Sequence, residues 1–399
     1  MGNRDVLISG AGVAGPALAY WLSRSGFSPT VVERAPAPRG GGQAVDLRGA
    51  AIEVAARMGI LDAVRKQRTQ TRGTSYVNSS GKRLASMDAA FGVIDPADVE
   101  IVRGDLGRIL YEATRDHVEY IFGDSVTGIA EQGQEVRVTF ERAPARTFGL
   151  VAGADGLHSA VRAAAFGPDA RFLHHLGLYL AVFSCPNDLG LDRWQLIYAE
   201  PGRSVTLTSE RDSTAARAIF FFASPPLSYD HHAVAAQQAL LAEAFAGAGW
   251  QVPRLLAAMP GAGDFYFDSA SQVRVDRWSA GRVVLVGDAG YGPSPLSGQG
   301  TSLALVGAYV LAAEIAAAPD HQAACTRYQE LMTGFVRQNQ QIAVGNAKRF
   351  LPSTRRQAWL QNQTIRALSY LPWKNLILNQ ATKGVREAAN AITLPEMPA

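Results

Sequence analysis

Cysteine is nearly absent from this chain: two residues in 399, Cys185 and Cys325, with no Cys-X-X-Cys spacing. That excludes a dithiol redox motif and a cysteine-built zinc site, and suits a reducing compartment. Charge is sparse and balanced, with 38 basic and 35 acidic residues for a net +3. No Lys/Arg run carries interleaved aromatics, so no nucleic-acid partner is expected. No stretch approaches the length needed to span a bilayer, and a strand-like run already begins by Val6, leaving no room for a secretory leader. The expectation is a cytoplasmic protein without stable membrane insertion, monomeric or homodimeric. Histidines come partly as adjacent pairs, His174-His175 and His231-His232. Neighbours on a strand point apart, so no metal site is expected. No Ser/His/Asp grouping marks a nucleophile either.

What is present is glycine at telling places. Asp5 to Ser9 reads as a buried strand, Gly10-Ala11-Gly12-Val13-Ala14-Gly15 as a tight turn, Ala17 to Ser25 as a helix and Thr30 to Glu33 as a second strand. Such a strand–turn–helix–strand unit lets a pyrophosphate approach the helix N-terminus, where free N–H groups and the dipole favour an anion. Glu33, ending the second strand, would accept hydrogen bonds from ribose hydroxyls and disfavour a 2′-phosphate, so this loop suits FAD or NAD. No second such unit exists: Gly247-Ala248-Gly249 follows a helix and lacks the third glycine. A second marker runs from Val151 through Asp155 and Gly156 to Arg162, and a third from Val286 through Gly287, Asp288 and Tyr291 to Gly298-Gln299-Gly300. Asp288 can accept from a ribityl hydroxyl. The Ala/Leu-rich helix from Thr301 to about Ala318 directs its amide dipoles at whatever lies over that loop.

Between the markers the texture changes. From Leu173 to Phe222 short β-rich segments are separated by turn residues, which predicts an antiparallel sheet. Arg282 to Val286 then returns to buried-strand character. The fold class is α/β, with a discontinuous Rossmann-like FAD-binding domain over 1–75, 100–170 and 272–330. A substrate-binding β-sheet domain is inserted over 76–99 and 171–271, and a C-terminal helical region covers 331–399.

The three markers, in this order and spacing, resemble the class A FAD-dependent monooxygenases, the para-hydroxybenzoate hydroxylase superfamily. The stretches Gly41 to Leu47 and Val102 to Leu106 look closest to the actinobacterial branch related to tetracycline-inactivating enzymes. The resemblance implies that Gly10, Gly12, Val13, Ala14, Glu33 and Arg34 contact the ADP half of FAD. It sets Arg39 and Arg103 near the phosphates or ribityl chain and Val126 beside the adenine, with Leu106 also among the cofactor-binding residues. Asp155 and Arg162 are implied to support the pyrophosphate region and the approach of NADPH. Gly287, Asp288, Pro295, Gly298, Gln299, Gly300 and Thr301 are implied to hold the ribityl and isoalloxazine portions. Departures are Tyr291, Ser302 and Gly307, where the family often has His, Asn and Asp.

The implied activity is hydroxylation of an apolar aromatic or polyketide-like small molecule, in secondary metabolism or antibiotic modification. It consumes NADPH or NADH and O2 and proceeds through a flavin C4a-hydroperoxide. Alternatives on the same fold are epoxidation, Baeyer–Villiger oxidation and an FAD-dependent redox-neutral cyclisation. Substrate candidates are Trp194, Tyr198, Phe220 and Phe222 as apolar wall, with Asp46, Gln195, Arg217 and Pro295 beside them. Tyr291 is the candidate side chain nearest the chemistry. The apolar stretch Ala358 to Leu378, broken by Pro372, is a candidate cap for the pocket.

Overall fold

A computed structural model describes residues 3–88, 97–209, 214–368 and 374–398. The nucleotide half is built on a six-stranded sheet in the order Ser279–Ala280, Val283–Leu285, Leu150–Gly153, Asp5–Ser9, Ser28–Glu33, Glu119–Phe122, parallel except at its first strand. Alternation along the strand Asp5–Ser9 explains why both faces are covered. Val6 and Ile8 pack with the helices Ala14–Arg24 and Gly300–Ala317. Leu7 packs on the other face, with the helix Ala160–Phe166 and the antiparallel strands Val126–Gln132, Glu135–Phe140 and Arg146–Phe148.

The helix Gly300–Ala317 corrects the membrane expectation. Its 18 residues have a mean hydropathy of 1.6, long and apolar enough to cross a bilayer by composition, but 78% of that window is buried inside the protein. It is the core helix against which the N-terminal helix packs. The N-terminal helix itself starts at Ala14, not Ala17, so Pro16 still lies in the first turn.

The second sheet has seven strands, ordered Tyr266–Val273, Leu173–Pro186, Ala215–Ala223, Arg203–Ser209, Trp194–Glu200, Gly73–Val77, Arg83–Asp88. It is antiparallel apart from the pairing of Trp194–Glu200 with Gly73–Val77. The strand Gly73–Val77 crosses the break expected at residue 75, and Tyr266–Val273 crosses that at 271. One face is buried under the helices Val234–Ala244 and Val252–Ala258. The other is turned toward the nucleotide half, where Leu178 packs with Leu296 and Ala343. The chain ends in the helices His321–Ala347, Arg355–Leu368 and Lys374–Ala389. In the stretch expected to cap the pocket, Trp359 is exposed, and Pro372 lies outside the described residues.

Candidate active site

The N-terminal turn is shaped by what its glycines leave out. Gly10 has φ 105°, and a Cβ on it would lie 2.5 Å from the Ala154 carbonyl oxygen. One on Gly15 would lie 1.9 Å from the Gly10 oxygen. These two glycines let helix, turn and neighbouring strand close up. Gly12 differs: a Cβ there meets only the Arg103 guanidinium, at 3.6 Å, so its missing side chain leaves room on the cleft side. The helix behind it has no side-chain cap and no acid in its first turn, which leaves N–H groups and dipole for an anion. Arg103 is exposed; its backbone N–H donates to the Gln43 oxygen at 3.1 Å, and its guanidinium forms no hydrogen bond or ion pair among the described residues. Glu33 accepts from the backbone N–H groups of Ala11 and Ala35 and from Arg39 Nη2, each at 2.9 Å. Burial alone would raise its pKa, but these donors together hold it below its ordinary value. Three contacts leave acceptor capacity for a ribose hydroxyl. Arg34 is exposed at the same strand end.

The other end of the cleft is the segment 287–301. Asp288 is exposed although Gly287 and Ala289 beside it are buried. Its pKa is nonetheless raised by burial, against the pull of Arg103 and Arg162. An accessible carboxylate that is desolvated by its surroundings lies on a concave wall. Tyr266 opposite it behaves alike: 42% exposed, yet with its hydroxyl pushed well above its ordinary pKa by burial and near Arg103 and Asp288. Pro295 and Gly298 are exposed between buried Leu296, Ser297 and Gln299, and Gly300 and Thr301 are half-buried. Neither amide atom of the buried Gln299 has a hydrogen-bond partner. Asp46 and Arg48 stand beside Gly298, whose Cβ would lie 3.3 Å from Arg48 Nη1 and 3.9 Å from Asp46 Oδ2. The pair is 2.9 Å apart, and Ser302 Oγ fixes it from below by accepting from the Arg48 N–H at 3.1 Å. Burial raises the Asp46 pKa to about 6, with Arg48 opposing and Glu100 and Asp98 adding. An unpaired guanidinium, uncapped helix starts and side-chain-free backbone at Gly12 and Gly298 fit a long anionic dinucleotide with a flat ring at one end.

Several expected contacts are corrected. Arg162 is fully buried and occupied within the protein, donating to the oxygens of Ala289 at 2.8 Å and Leu157 at 2.5 Å and to Asp169 at 2.6 Å. It braces the Gly287-Asp288 turn from behind. Asp155 accepts from Ser9 and Ser159 hydroxyls and from the Val161 N–H, tying strand end to helix start. Val13, Leu106 and Val126 are core residues. Tyr291 is also core: the one-turn helix Asp288–Tyr291 carries its ring inward against Trp278, 4.5 Å between centroids, and its hydroxyl bonds Tyr328 at 2.7 Å. Burial pushes that phenol up to about 12, and its hydroxyl meets Tyr328 and not the cleft.

On the sheet, parity decides. Tyr198, Phe220 and Phe222 belong to the face buried under the two helices, and Trp194 packs there with its Nε1 donating to Ser75 at 2.9 Å. None of the four lines the cleft. Gln195 and Arg217 lie on the opposite face, as do Thr74, Ile197, Ile219 and Phe221, which sequence reasoning missed. All six are half-buried. Arg217 pairs with Asp264 at 3.1 Å and reaches to 3.7 Å from a Cβ placed on Gly41.

Residues 3–331 match the FAD binding domain family. An uncharacterised protein of Mycobacterium tuberculosis H37Rv is 48% identical over 347 residues, 86% of this chain and 93% of that protein. A flavin-dependent monooxygenase from an unknown prokaryotic organism is 42% identical over 398 residues, 99% of both chains. The crystal structure of tetracycline destructase Tet(55) superposes with a TM-score of 0.84 at 40% identity, again over 99% of both. The chain belongs to the class A FAD-dependent monooxygenases, oxidoreductases that act with FAD on a small molecule and O2.

Proposed function

We propose that this enzyme uses NADPH or NADH with O2 to hydroxylate a planar, polycyclic, oxygen-rich small molecule of the aromatic polyketide type. The observation that carries this is the make-up of the sheet's second face, where apolar Ile197, Ile219 and Phe221 alternate with Thr74, Gln195 and Arg217. A flat apolar wall with a polar fringe suits a fused-ring body carrying oxygens at its rim. The likeness to a tetracycline destructase supports the same substrate class and makes a tetracycline the first compound to test.

In this reading Gly12, the first-turn amides and Arg103 hold the FAD diphosphate, Glu33 the ribose and Asp288 the ribityl chain, while 295–301 flanks the ring. Bound FAD supplies hydride acceptance and oxygen activation. The side chains supply the rest. Arg217, fixed by Asp264, sets a cation on this face toward substrate oxygens. Asp46 Oδ2, beside Gly298 and with a pKa of about 6, holds or releases a proton near neutrality. The sheet wall excludes water.

Consumption of NAD(P)H under O2, with and without tetracycline, tests the reading. Substrate-stimulated oxidation and a product heavier by one oxygen support it, whereas conversion without NAD(P)H points to cyclisation. Asp288→Ala should lower FAD retention more than tenfold while leaving the folded chain intact by circular dichroism. Unchanged flavin content would refute the role of Asp288.

A further inference from the structure

Outside the FAD cleft, a second group of side chains gathers where the turn after Leu150–Gly153 meets the seven-stranded sheet. His158 comes from that turn, Asp268 from the edge strand Tyr266–Val273, and His231 from the loop ahead of Val234–Ala244. One ligand atom from each lies within 4.8 Å of the other two. The two imidazole rings are 3.9 Å apart between centroids. His158 Nε2 stands 3.1 Å from Asp268 Oδ2, and its Nδ1 stands 3.1 Å from Asp169. Asp169 is itself held by Arg162 at 2.6 Å. A carboxylate on the far nitrogen of an imidazole is the arrangement that orients a metal-bound histidine. Asp268 is buried and His231 exposed, so one side of the group is anchored and the other open to solvent.

We propose that His158, His231 and Asp268 bind a divalent transition metal of the zinc class. Two imidazoles and one carboxylate with an open position suit Zn²⁺ and not the harder Mg²⁺ or Ca²⁺. The adjacent pair His231-His232 cannot chelate as a pair, but His231 alone meets partners distant in sequence. The metal would join three segments that are otherwise linked by side-chain contacts. One of them carries Tyr266, whose hydroxyl donates to Asp268 at 3.2 Å and whose ring borders the cleft. Occupancy therefore stiffens one wall of the active site.

The test uses the FAD-loaded full chain, stripped with a chelator and titrated with Zn²⁺ against a chromophoric competitor, with Tm followed in parallel. One equivalent is expected to bind and to raise Tm. His231→Gln, at an exposed position, should weaken binding at least tenfold and remove the Tm shift, and Asp268→Asn should do the same. His232→Gln should do neither. Equal Zn²⁺ affinity in wild type and His231→Gln, or an equal Tm shift from Mg²⁺, would overturn the site.

Discussion

Glu33 closes the glycine turn through Ala11 with the same carboxylate that the proposed function assigns to the ribose. Because the donors hold its pKa below the ordinary 4.5, its stabilising effect is present above that value and is lost as pH falls through the lowered native pKa. Glu33→Gln should therefore cost about 1–2 kcal/mol at neutral pH, with the gap to wild type closing in strong acid, as read by urea unfolding at both pH values. A constant gap would show that charge plays no part. Two departures from the family explain one another at the same scale. A Cβ on Gly307 would fall 1.9 Å from the Tyr291 hydroxyl, so the large ring at one position requires the smallest residue at the other. Gly307→Ala gains about 1 kcal/mol of helix propensity but overpacks a closed core at about 1–3 kcal/mol. A net loss is expected, partly recovered when Tyr291→Phe is added, and a double-mutant cycle in denaturant measures the coupling. Both residues belong to the core and not to the chemistry.

Along the strand Ala215–Ala223, neighbouring residues serve different purposes. Phe220 is fully buried between Phe183 and Phe245, with ring centroids 5.5 Å and 4.9 Å away. Phe221 points to the cleft and meets Phe350 at 4.5 Å. Phe220→Ala should cost about 3–5 kcal/mol. Phe221→Ala should cost well under half of that and instead raise KM for the proposed aromatic substrate. Equal stability losses, with KM unchanged in both, would reverse the assignment of faces. This is also where the sequence stops being informative. The glycine turn, the acid at the strand end and the Gly-Asp segment are local, each written within about a dozen residues, and so they were readable. The parity of Trp194, Tyr198, Phe220 and Phe222 was readable too. Which parity faces the flavin was not, because it depends on the helices Val234–Ala244 and Val252–Ala258 covering one side. In Phe220-Phe221-Phe222 both faces are aromatic, so hydrophobicity gives no vote. Tyr291 misled for a related reason: its place in a ligand-binding segment does not reveal that a one-turn helix turns it inward.

Beside the apolar contact of Leu178 with Leu296 and Ala343, polar struts tie the two halves of the molecule together. The helix His321–Ala347 bonds both sheets, through Tyr328 to the Leu285 oxygen at 3.2 Å and through Gln340 to the Val273 oxygen at 2.9 Å. Arg162 is the other strut. Its guanidinium joins the helix start at Leu157, the Asp169 carboxylate and the turn at Ala289, and through Asp169 and His158 the linkage extends to Asp268 in the second sheet. Such a buried charge contributes little relative to an apolar replacement that packs well, but removing it strands its acceptors. Arg162→Met keeps the volume and loses the bonds, so it should destabilise the protein by about 3–5 kcal/mol and loosen the Gly287-Asp288 turn. FAD retention should then fall together with stability, measured by flavin fluorescence during urea unfolding. Asp288→Ala should lose flavin with the fold intact. The two variants separate a residue proposed to touch the cofactor from one that holds the turn in place: if Arg162→Met lost FAD with unaltered unfolding, the guanidinium would have to reach the cleft after all.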